Sequence, residues 1–159
     1  MDKSQMECIY ETYKNIVYRT AFTYCKNKAD SEDITQEVFI LRFKSDIAFN
    51  SPEHEKAWFI RVTVNKCKDL FKSFRFKYTV PLDDKEIIYT TPEESEVYHA
   101  VMELPKKYRI VIHLYYYEEY QIKDIAKILK KSETAIQTQL YRARNMLRNS
   151  LGKEFQYEY

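Results

Sequence analysis

Residues 121–151 read QIKDIAKILKKSETAIQTQLYRARNMLRNSL and predict two helices separated by a tight turn. Apolar residues recur at helical spacing on both sides of Lys130, so we expect helices over 121–130 and 133–150. Two helices joined by about three residues, the second long and basic, form the outline of a helix-turn-helix. The apolar residues expected to pack between them are Ile122, Ile125, Ala126, Leu129, Ile136, Leu140, Ala143 and Leu147.

The composition favours an all-helical fold for the rest of the chain. The 159 residues include one glycine, Gly152, whereas roughly 7% is average. This scarcity argues against glycine-rich phosphate loops, dinucleotide-binding loops and glycine-turned β-hairpins. Apolar residues make up 45% of the chain, which is enough to bury a core in one ordinary domain or two small ones.

Three helices are predicted in the N-terminal half. Apolar spacing indicates a first helix over roughly 5–26. Asp30 is a candidate cap for the second helix, with Asp33 reaching back as in a capping box. Ser51 followed by Pro52 is a strong start signal for the third helix, because a proline at the first helical position loses no hydrogen bond. The apolar stripe of this third helix comprises Ile60, Val64, Cys67, Phe71 and Phe74.

Charge is distributed in opposing blocks that the net value of +2 conceals. Residues 56–78 carry seven basic side chains and one acidic, and residues 121–153 carry eight basic and two acidic. Between them, residues 82–103 carry one basic and seven acidic side chains, and residues 1–55 carry seven basic and ten acidic. Two basic segments indicate two modules that each meet a polyanion, joined by a stretch that does not compete for it. The alternative is that these charges lie on ordinary solvent-exposed helix faces and bind no polyanion.

A linker is predicted between the two basic modules. Residues 79–91 (TVPLDDKEIIYTT) lack helical periodicity and contain a proline, and a capping box at 91–94 then predicts a new helix. We therefore expect a first domain over 1–78, an acidic linker over 79–92, a second domain over 93–153 and a C-terminal tail over 154–159.

Localisation and cofactors are also constrained by the sequence. The chain has no apolar run near 18 residues, and its start, MDKSQMEC, lacks the apolar stretch of a signal peptide, so we expect a cytoplasmic protein with no membrane insertion. Cys8, Cys25 and Cys67 are an odd number at wide spacing, which suggests neither a disulfide framework nor a zinc site. We expect them to be buried, inert thiols, and we expect no metal or other cofactor.

Three motifs in one order resemble the small, extracytoplasmic-function type of bacterial sigma factor within the sigma-70 family. The resemblance runs from about Ile9 to Leu151. The first motif, DSEDITQEVFILRF at 30–43, is similar to the family's region 2 helix that docks on the β′ clamp helices of RNA polymerase. The resemblance assigns polymerase binding to Asp33, Gln36, Glu37 and Phe39.

The second motif, WFIRVTVNKCKDLFKSFR at 58–75, resembles the family's helix for the minus-ten promoter element, with Trp58, Asn65 and Asp69 matching position by position. Phe49 and Asn50 precede it in a loop that resembles the family's base-capturing loop. Capture of a DNA strand requires cations that bind phosphates and a surface that receives an extruded base. Trp58 itself is expected in the core. The expected minus-ten residues are Phe49, Asn50, Arg61, Asn65, Lys68, Lys72 and Arg75.

The third motif, residues 103–151, resembles region 4, which reads the minus-thirty-five element and in the family meets the β flap of polymerase. The family often has glycines where this chain has Glu119, Lys130 and Thr134, and basic residues where it has Gln137 and Gln139. Because glutamine pairs well with adenine, these differences favour A/T-rich bases. The expected minus-thirty-five residues are Lys131, Thr134, Gln137, Thr138, Gln139 and Arg142.

The resemblance implies an alternative sigma factor that binds core RNA polymerase and promoter DNA, does no phosphodiester chemistry itself and is held by an anti-sigma protein. One alternative is a helix-turn-helix regulator that never replaces sigma, for which residues 30–43 would have no use. A third hypothesis, an enzyme, is motivated only by His54, His99 and His113, which have no nucleophile or metal spacing beside them.

Overall fold

The structure is a computed structural model that describes residues 1–73 and 92–152. Within these ranges the regular elements are helices and no strand occurs, which confirms the all-helical class. The chain divides into two compact units, Met1–Asp83 and Asp84–Tyr159. The predicted linker lies outside the described residues except for Pro92, as do Phe74, Arg75 and Thr91.

The first unit consists of three helices: α1 (Lys3–Cys25), α2 (Lys28–Lys44) and α3 (Pro52–Lys72), each of which packs against the other two. Its core is the apolar stripe of α3 closed by α1 and α2. Val17, Val38, Phe59 and Ile60 are buried there with almost no exposed surface. Trp58 is also buried, as the sequence predicted.

The start signals of α2 and α3 turn out differently. Ser51 caps α3 as predicted, and its Oγ accepts a hydrogen bond of 3.1 Å from the His54 amide. The predicted capping box of Asp30 and Asp33 is wrong, because α2 begins three residues earlier than that motif requires. Asn27 has the extended backbone of a cap, and its Oδ1 accepts a 2.8 Å hydrogen bond from the Asp30 amide. Asp30 and Asp33 therefore lie inside the helix.

The second unit consists of α4 (Pro92–Met102), α5 (Lys106–Ile112), α6 (Ile122–Leu129) and α7 (Glu133–Leu151). The two final helices confirm the helix-turn-helix predicted from the sequence. α7 packs against α4, α5 and α6, and its buried side chains are Ile136, Leu140, Ala143 and Leu147. Buried Arg109 fastens the connection between α4 and α5 by donating to the Leu104 carbonyl at 2.8 Å.

A π-helical turn, His113–Tyr117, continues α5 and was not predicted. Buried His113 and Glu118 bracket this turn, with their Nε2 and Oε1 atoms 3.4 Å apart. Glu119 follows with a φ of 60°, which is left-handed backbone. The wider π-helical turn lets the chain leave α5 before α6 begins. The spacing of apolar residues does not predict such a turn.

Candidate functional site

The exposed edge of α2 carries three of the four residues assigned to polymerase binding. Asp33, Gln36 and Glu37 are exposed, as helical spacing requires of residues on one face. Phe39 is not: it is 4% exposed, and its ring lies 4.9 Å from that of Tyr10 and 5.2 Å from that of Phe59. The assignment of Phe39 to a docking surface is therefore corrected, since its side chain belongs to the core.

A groove of about 420 Å³ runs between α2 and α3 beside this edge. Its walls include Asp33, Glu37 and Asp69, and Lys66 reaches across to Glu37 with 3.8 Å between Nζ and Oε2. Ile40 lines the groove and is 52% exposed. Leu41 beside it is also exposed. The helical spacing of Ile34, Val38 and Leu41 predicts an inward-facing Leu41, and its exposure shows that this prediction is wrong. Ile40 was not predicted as a surface contact from the sequence.

The adjacent edge of α3 carries the basic residues assigned to the minus-ten strand. Arg61 and Lys72 are exposed, whereas Asn65 and Lys68 are half-buried. Arg75 lies outside the described residues. The four described side chains follow one another at three- or four-residue spacing and so share one side of the helix.

The loop between α2 and α3 holds Phe49 and Asn50 in different environments. The Phe49 ring is half-buried, with the Arg42 guanidinium carbon 4.9 Å and the Trp58 ring centroid 5.9 Å from its centroid. Asn50 is exposed, and its amide donates a hydrogen bond of 3.2 Å to Nδ1 of His54. Of the two residues, only Asn50 has an exposed side chain.

A polar cluster inside the first unit supports this loop. Arg42 donates to the same oxygen of Glu55 from Nε at 3.0 Å and from Nη2 at 2.7 Å. Tyr13 on α1 donates to the Pro52 carbonyl at 3.4 Å. Burial, together with the negative charge of Glu55, raises the pKa of Tyr13 to about 12. The cluster joins all three helices at one end of the unit.

The second unit presents most of the assigned minus-thirty-five residues on one side of α7. Ser132 caps this helix, with its Oγ accepting a 3.0 Å hydrogen bond from the Ala135 amide. Tyr141, which the sequence analysis did not single out, is 66% exposed and shares the side of the helix on which Gln137 and Thr138 lie. The exposed residues are Lys131, Thr134, Gln137, Thr138 and Arg142.

Gln139 differs from these residues in its exposure, and its assignment to DNA stays a prediction. Its side chain is half-buried, and Oε1 is buried with no hydrogen-bond partner in the part of the chain that the structure describes. The reason is the helical period, which places position 139 next to the core positions 136 and 143. An oxygen enclosed in this way is not presented to a base edge.

Two features fix the orientation of α7 against the rest of its unit. Lys130 adopts left-handed backbone with a φ of 56°, and the amide of Lys131 donates to the Ala126 carbonyl at 2.9 Å, so α6 ends in a Schellman motif. Arg144 donates from Nε to the Tyr116 hydroxyl at 2.8 Å. Its guanidinium also lies over the Tyr115 ring at 5.5 Å. The tyrosine run thus anchors α7.

The remaining candidate chemistry is dispersed. His54 lies in the first unit, whereas His99 and His113 lie in the second. Among residues 1–73 and 92–152, no three His, Cys, Asp or Glu side chains are grouped so that they could hold a metal ion. In the same residues no helix is long and apolar enough to cross a membrane.

The prediction that all three cysteines are buried is wrong for one of them. Cys25 and Cys67 are buried as predicted, but Cys8 is exposed on α1. The thiols of Cys25 and Cys67 are in hydrogen-bond contact, and this contact and burial raise the pKa of Cys67 far above that of an ordinary thiol.

Comparison with known proteins places both units in one family. Residues 9–75 match the family model of sigma-70 region 2, and residues 94–147 match that of sigma-70, region 4. The chain is 31% identical to the RNA polymerase sigma factor SigV of Bacillus subtilis, over 92% of this chain and 90% of that protein. It is 28% identical to the ECF RNA polymerase sigma factor SigM of the same organism, over 88% and 91% respectively.

Solved structures agree in fold. The sigma factor RpoE of Bartonella quintana, solved in complex with the anti-sigma factor NepR, superposes with a TM-score of 0.78 at 17% identity, over 92% of this chain and 96% of that one. CnrH, solved with the cytosolic domain of CnrY, gives a TM-score of 0.68 at 20% identity, over 94% and 89%. On the two family models and the relatives together, this chain belongs to the sigma-70 family of RNA polymerase sigma factors, in its extracytoplasmic-function type.

Proposed function

We propose that the chain is an alternative sigma factor that binds core RNA polymerase through α2, holds the opened minus-ten strand on α3 and the preceding loop, and reads the minus-thirty-five element with α7. The domains that do so are residues 1–78 and 93–153, joined by the acidic linker 79–92. The chain adds promoter choice and strand opening, while the polymerase supplies the phosphodiester chemistry, so no catalytic residue and no cofactor are assigned to it. It acts in the cytoplasm, where polymerase and DNA meet.

The observation that carries this proposal is the division of charge within the first unit. The exposed edge of α2 is acidic, with Asp33 and Glu37, and suits the basic β′ clamp helices expected on polymerase. The edge of α3 is basic, with Arg61 and Lys72 exposed, and suits DNA phosphates. One small unit therefore offers two surfaces of opposite charge, which a regulator that binds only DNA does not need.

Exposed apolar side chains complete the polymerase-binding edge. Ile40 and Leu41 are exposed next to the acidic residues of α2, and apolar contact is what gives a protein interface its desolvated centre. With Phe39 assigned to the core, these two residues replace it in the docking surface. The second unit meets the β flap and the minus-thirty-five DNA, and its exposed face of α7 enters the major groove.

Regulation by a partner protein also fits this chain. The RpoE structure contains the bound anti-sigma factor NepR, and the CnrH structure contains the cytosolic domain of CnrY. We propose that an anti-sigma protein holds this chain inactive by covering surfaces that polymerase needs. Each unit is small, so binding of a partner should stabilise it.

Transcription with purified components tests the proposal against the regulator alternative. The chain is mixed with sigma-free core polymerase and a library of genomic fragments, and the start sites are mapped. We expect transcripts from a narrow set of promoters that core polymerase alone does not produce. Good binding of the chain to DNA fragments with no transcript from any of them would instead establish a helix-turn-helix regulator that does not replace sigma.

A further inference from the structure

We infer that Arg42 and Glu55 are positioning residues that hold the loop of Phe49 and Asn50 in the form that receives an unpaired base. This inference rests on the proposed minus-ten function of the loop. It concerns two residues that lie in the flanking helices rather than in the loop. Neither was assigned a role from the sequence or from the resemblance.

An ion pair between Arg42 and Glu55 joins the two helices that flank the loop. Arg42 lies in the last turn of α2 and Glu55 in the first turn of α3, so their contact closes the loop at its base. Two donors of the guanidinium, Nε at 3.0 Å and Nη2 at 2.7 Å, converge on one carboxylate oxygen. The side chains are 7% and 16% exposed, so solvent screens this pair far less than a surface pair.

The guanidinium of Arg42, held by Glu55, lies over the ring of Phe49. Its carbon lies 4.9 Å from the ring centroid, within the range of a cation–π contact. The rings of His54 and Trp58 approach the same ring edge-on, at 5.3 and 5.9 Å. Phe49 is thereby clamped between the end of α2 and the start of α3, and its position depends on Arg42.

Asn50, the next residue along the backbone, is held in place as well. Because Phe49 is clamped and the Asn50 amide donates to His54 Nδ1 at 3.2 Å, the residue that follows the ring is held from both sides. The Asn50 side chain stays exposed and carries both donors and an acceptor, which a base edge requires. A loop that is ordered before DNA arrives avoids the entropic cost of ordering it on binding.

A positioning role can be separated from a structural one because of how buried ion pairs behave. Removing one partner leaves an uncompensated charge and destabilises the protein, whereas replacing both by apolar residues is often neutral. The double variant Arg42→Met/Glu55→Leu therefore removes the clamp on Phe49 while keeping a packed interior. A change in base capture without a change in stability is the signature of positioning.

The experiment uses holoenzyme assembled from core polymerase and the full-length chain. Its affinity is measured for a promoter fragment that the wild-type holoenzyme itself selects, in duplex form and with the minus-ten segment unpaired. For the double variant we expect roughly tenfold weaker binding to the unpaired fragment, equivalent to about 1.4 kcal/mol. Thermal unfolding and affinity for core polymerase should stay at wild-type values.

The loop can also be observed without DNA. Trp58 is the only tryptophan of the chain and contacts Phe49, so its fluorescence should change in the double variant. Glu11→Gln is the matched control, since it alters an ion pair with Lys14 of 2.8 Å on the surface of α1. This control should leave both the fluorescence and the binding of unpaired DNA unchanged.

Wild-type capture of the unpaired fragment by a folded double variant would overturn the inference. If the double variant does not fold, Arg42→Lys decides, because it keeps the charge beside Glu55 but loses the guanidinium that lies over the Phe49 ring. Weaker capture by that variant supports the inference, and unchanged capture overturns it. Asn50→Ala separates the two proposals: if it too binds the unpaired fragment like wild type, the minus-ten assignment of the loop itself fails.

Discussion

Left-handed backbone at Lys130, in the turn before α7, costs free energy because the residue is not glycine. The family often has glycine, the residue best suited to positive φ, at the positions of Lys130 and Glu119. In the structure both residues have left-handed backbone, with φ of 56° and 60°, so this strain is tolerated at both turns. A non-glycine residue in this region costs roughly 1–2 kcal/mol of strain. Glycine avoids this strain, but it loses more conformational entropy on folding, which offsets part of the gain.

We expect Lys130→Gly to stabilise the second unit. The net gain should be up to about 1 kcal/mol in the free energy of opening, because the left-handed strain exceeds the entropic cost of glycine. Hydrogen exchange of the α7 amides measures that free energy in the full-length chain. Lys131→Gly is the control, since Lys131 is absent from the positive-φ residues, and it should stabilise nothing. Equal effects of the two substitutions would contradict this account of the turn.

The three thiols should differ sharply in reactivity. Cys8 is exposed, whereas Cys25 and Cys67 are buried, and the raised pKa of Cys67 lowers its thiolate population further. In native protein we therefore expect iodoacetamide to modify Cys8 alone, as peptide mass spectrometry can show. In urea at roughly 8 M, which unfolds the chain, all three thiols should react. Rapid modification of Cys67 in the native chain would mean that the first unit opens readily.

At the scale of a helix, α2 separates two roles that its sequence places side by side. Phe39→Ala should lower the free energy of unfolding of the first unit by about 3–5 kcal/mol, because it empties a volume between Tyr10 and Phe59. Ile40→Ala, at the next position, should change stability by no more than about 0.5 kcal/mol but weaken binding to core polymerase. Urea unfolding and polymerase affinity are the two measurements. A stable Phe39→Ala variant with reduced polymerase affinity would restore the original assignment.

Contact between helices also makes the first unit sensitive to alkaline pH. Burial raises the pKa of Tyr13 to about 12, against an ordinary value of 10.0. Below pH 10 Tyr13 is neutral in the folded and in the unfolded chain, and its contribution to stability is fully present. Between pH 10 and 12 only the unfolded chain loses the proton, so the free energy of unfolding falls. The free energy of unfolding should therefore decline less steeply above pH 10 in Tyr13→Phe than in wild type. Parallel curves for the two proteins would refute the assignment.

Elements with strong local signals were predicted, and details that depend on neighbours were not. Ser51 followed by Pro52 predicted the start of α3, and the apolar spacing around Lys130 predicted the helix-turn-helix. The π-helical turn at 113–117 has no signature in the apolar spacing. At the start of α2, both Asn27 and Asp30 are residue types that favour a cap, so the local sequence does not choose between them. Burial explains the error in the site: Phe39 lies on a helix whose orientation only the packed unit defines.

At the scale of the whole chain, its charge is arranged in blocks rather than spread evenly. Basic segments 56–78 and 121–153 fall in different units, with the acidic segment 82–103 between them in the sequence. Under the proposed function each basic segment binds DNA phosphates and releases counterions, so both should contribute to the salt dependence of promoter binding. The proposal assigns single-stranded DNA to one segment and duplex to the other, and these two forms differ in counterion release per contact.

Salt titration of promoter binding should therefore distinguish the two units. With holoenzyme and a selected promoter, the slope of log K against log salt should become shallower by about 0.7 in Lys72→Gln and by about 0.9 in Arg142→Gln, provided each side chain meets one phosphate. On a duplex fragment that carries only the minus-thirty-five element, Arg142→Gln should keep its effect and Lys72→Gln should have none. A change in slope for Lys72→Gln on that fragment would show that the edge of α3 contacts duplex DNA and would refute its assignment to the opened strand.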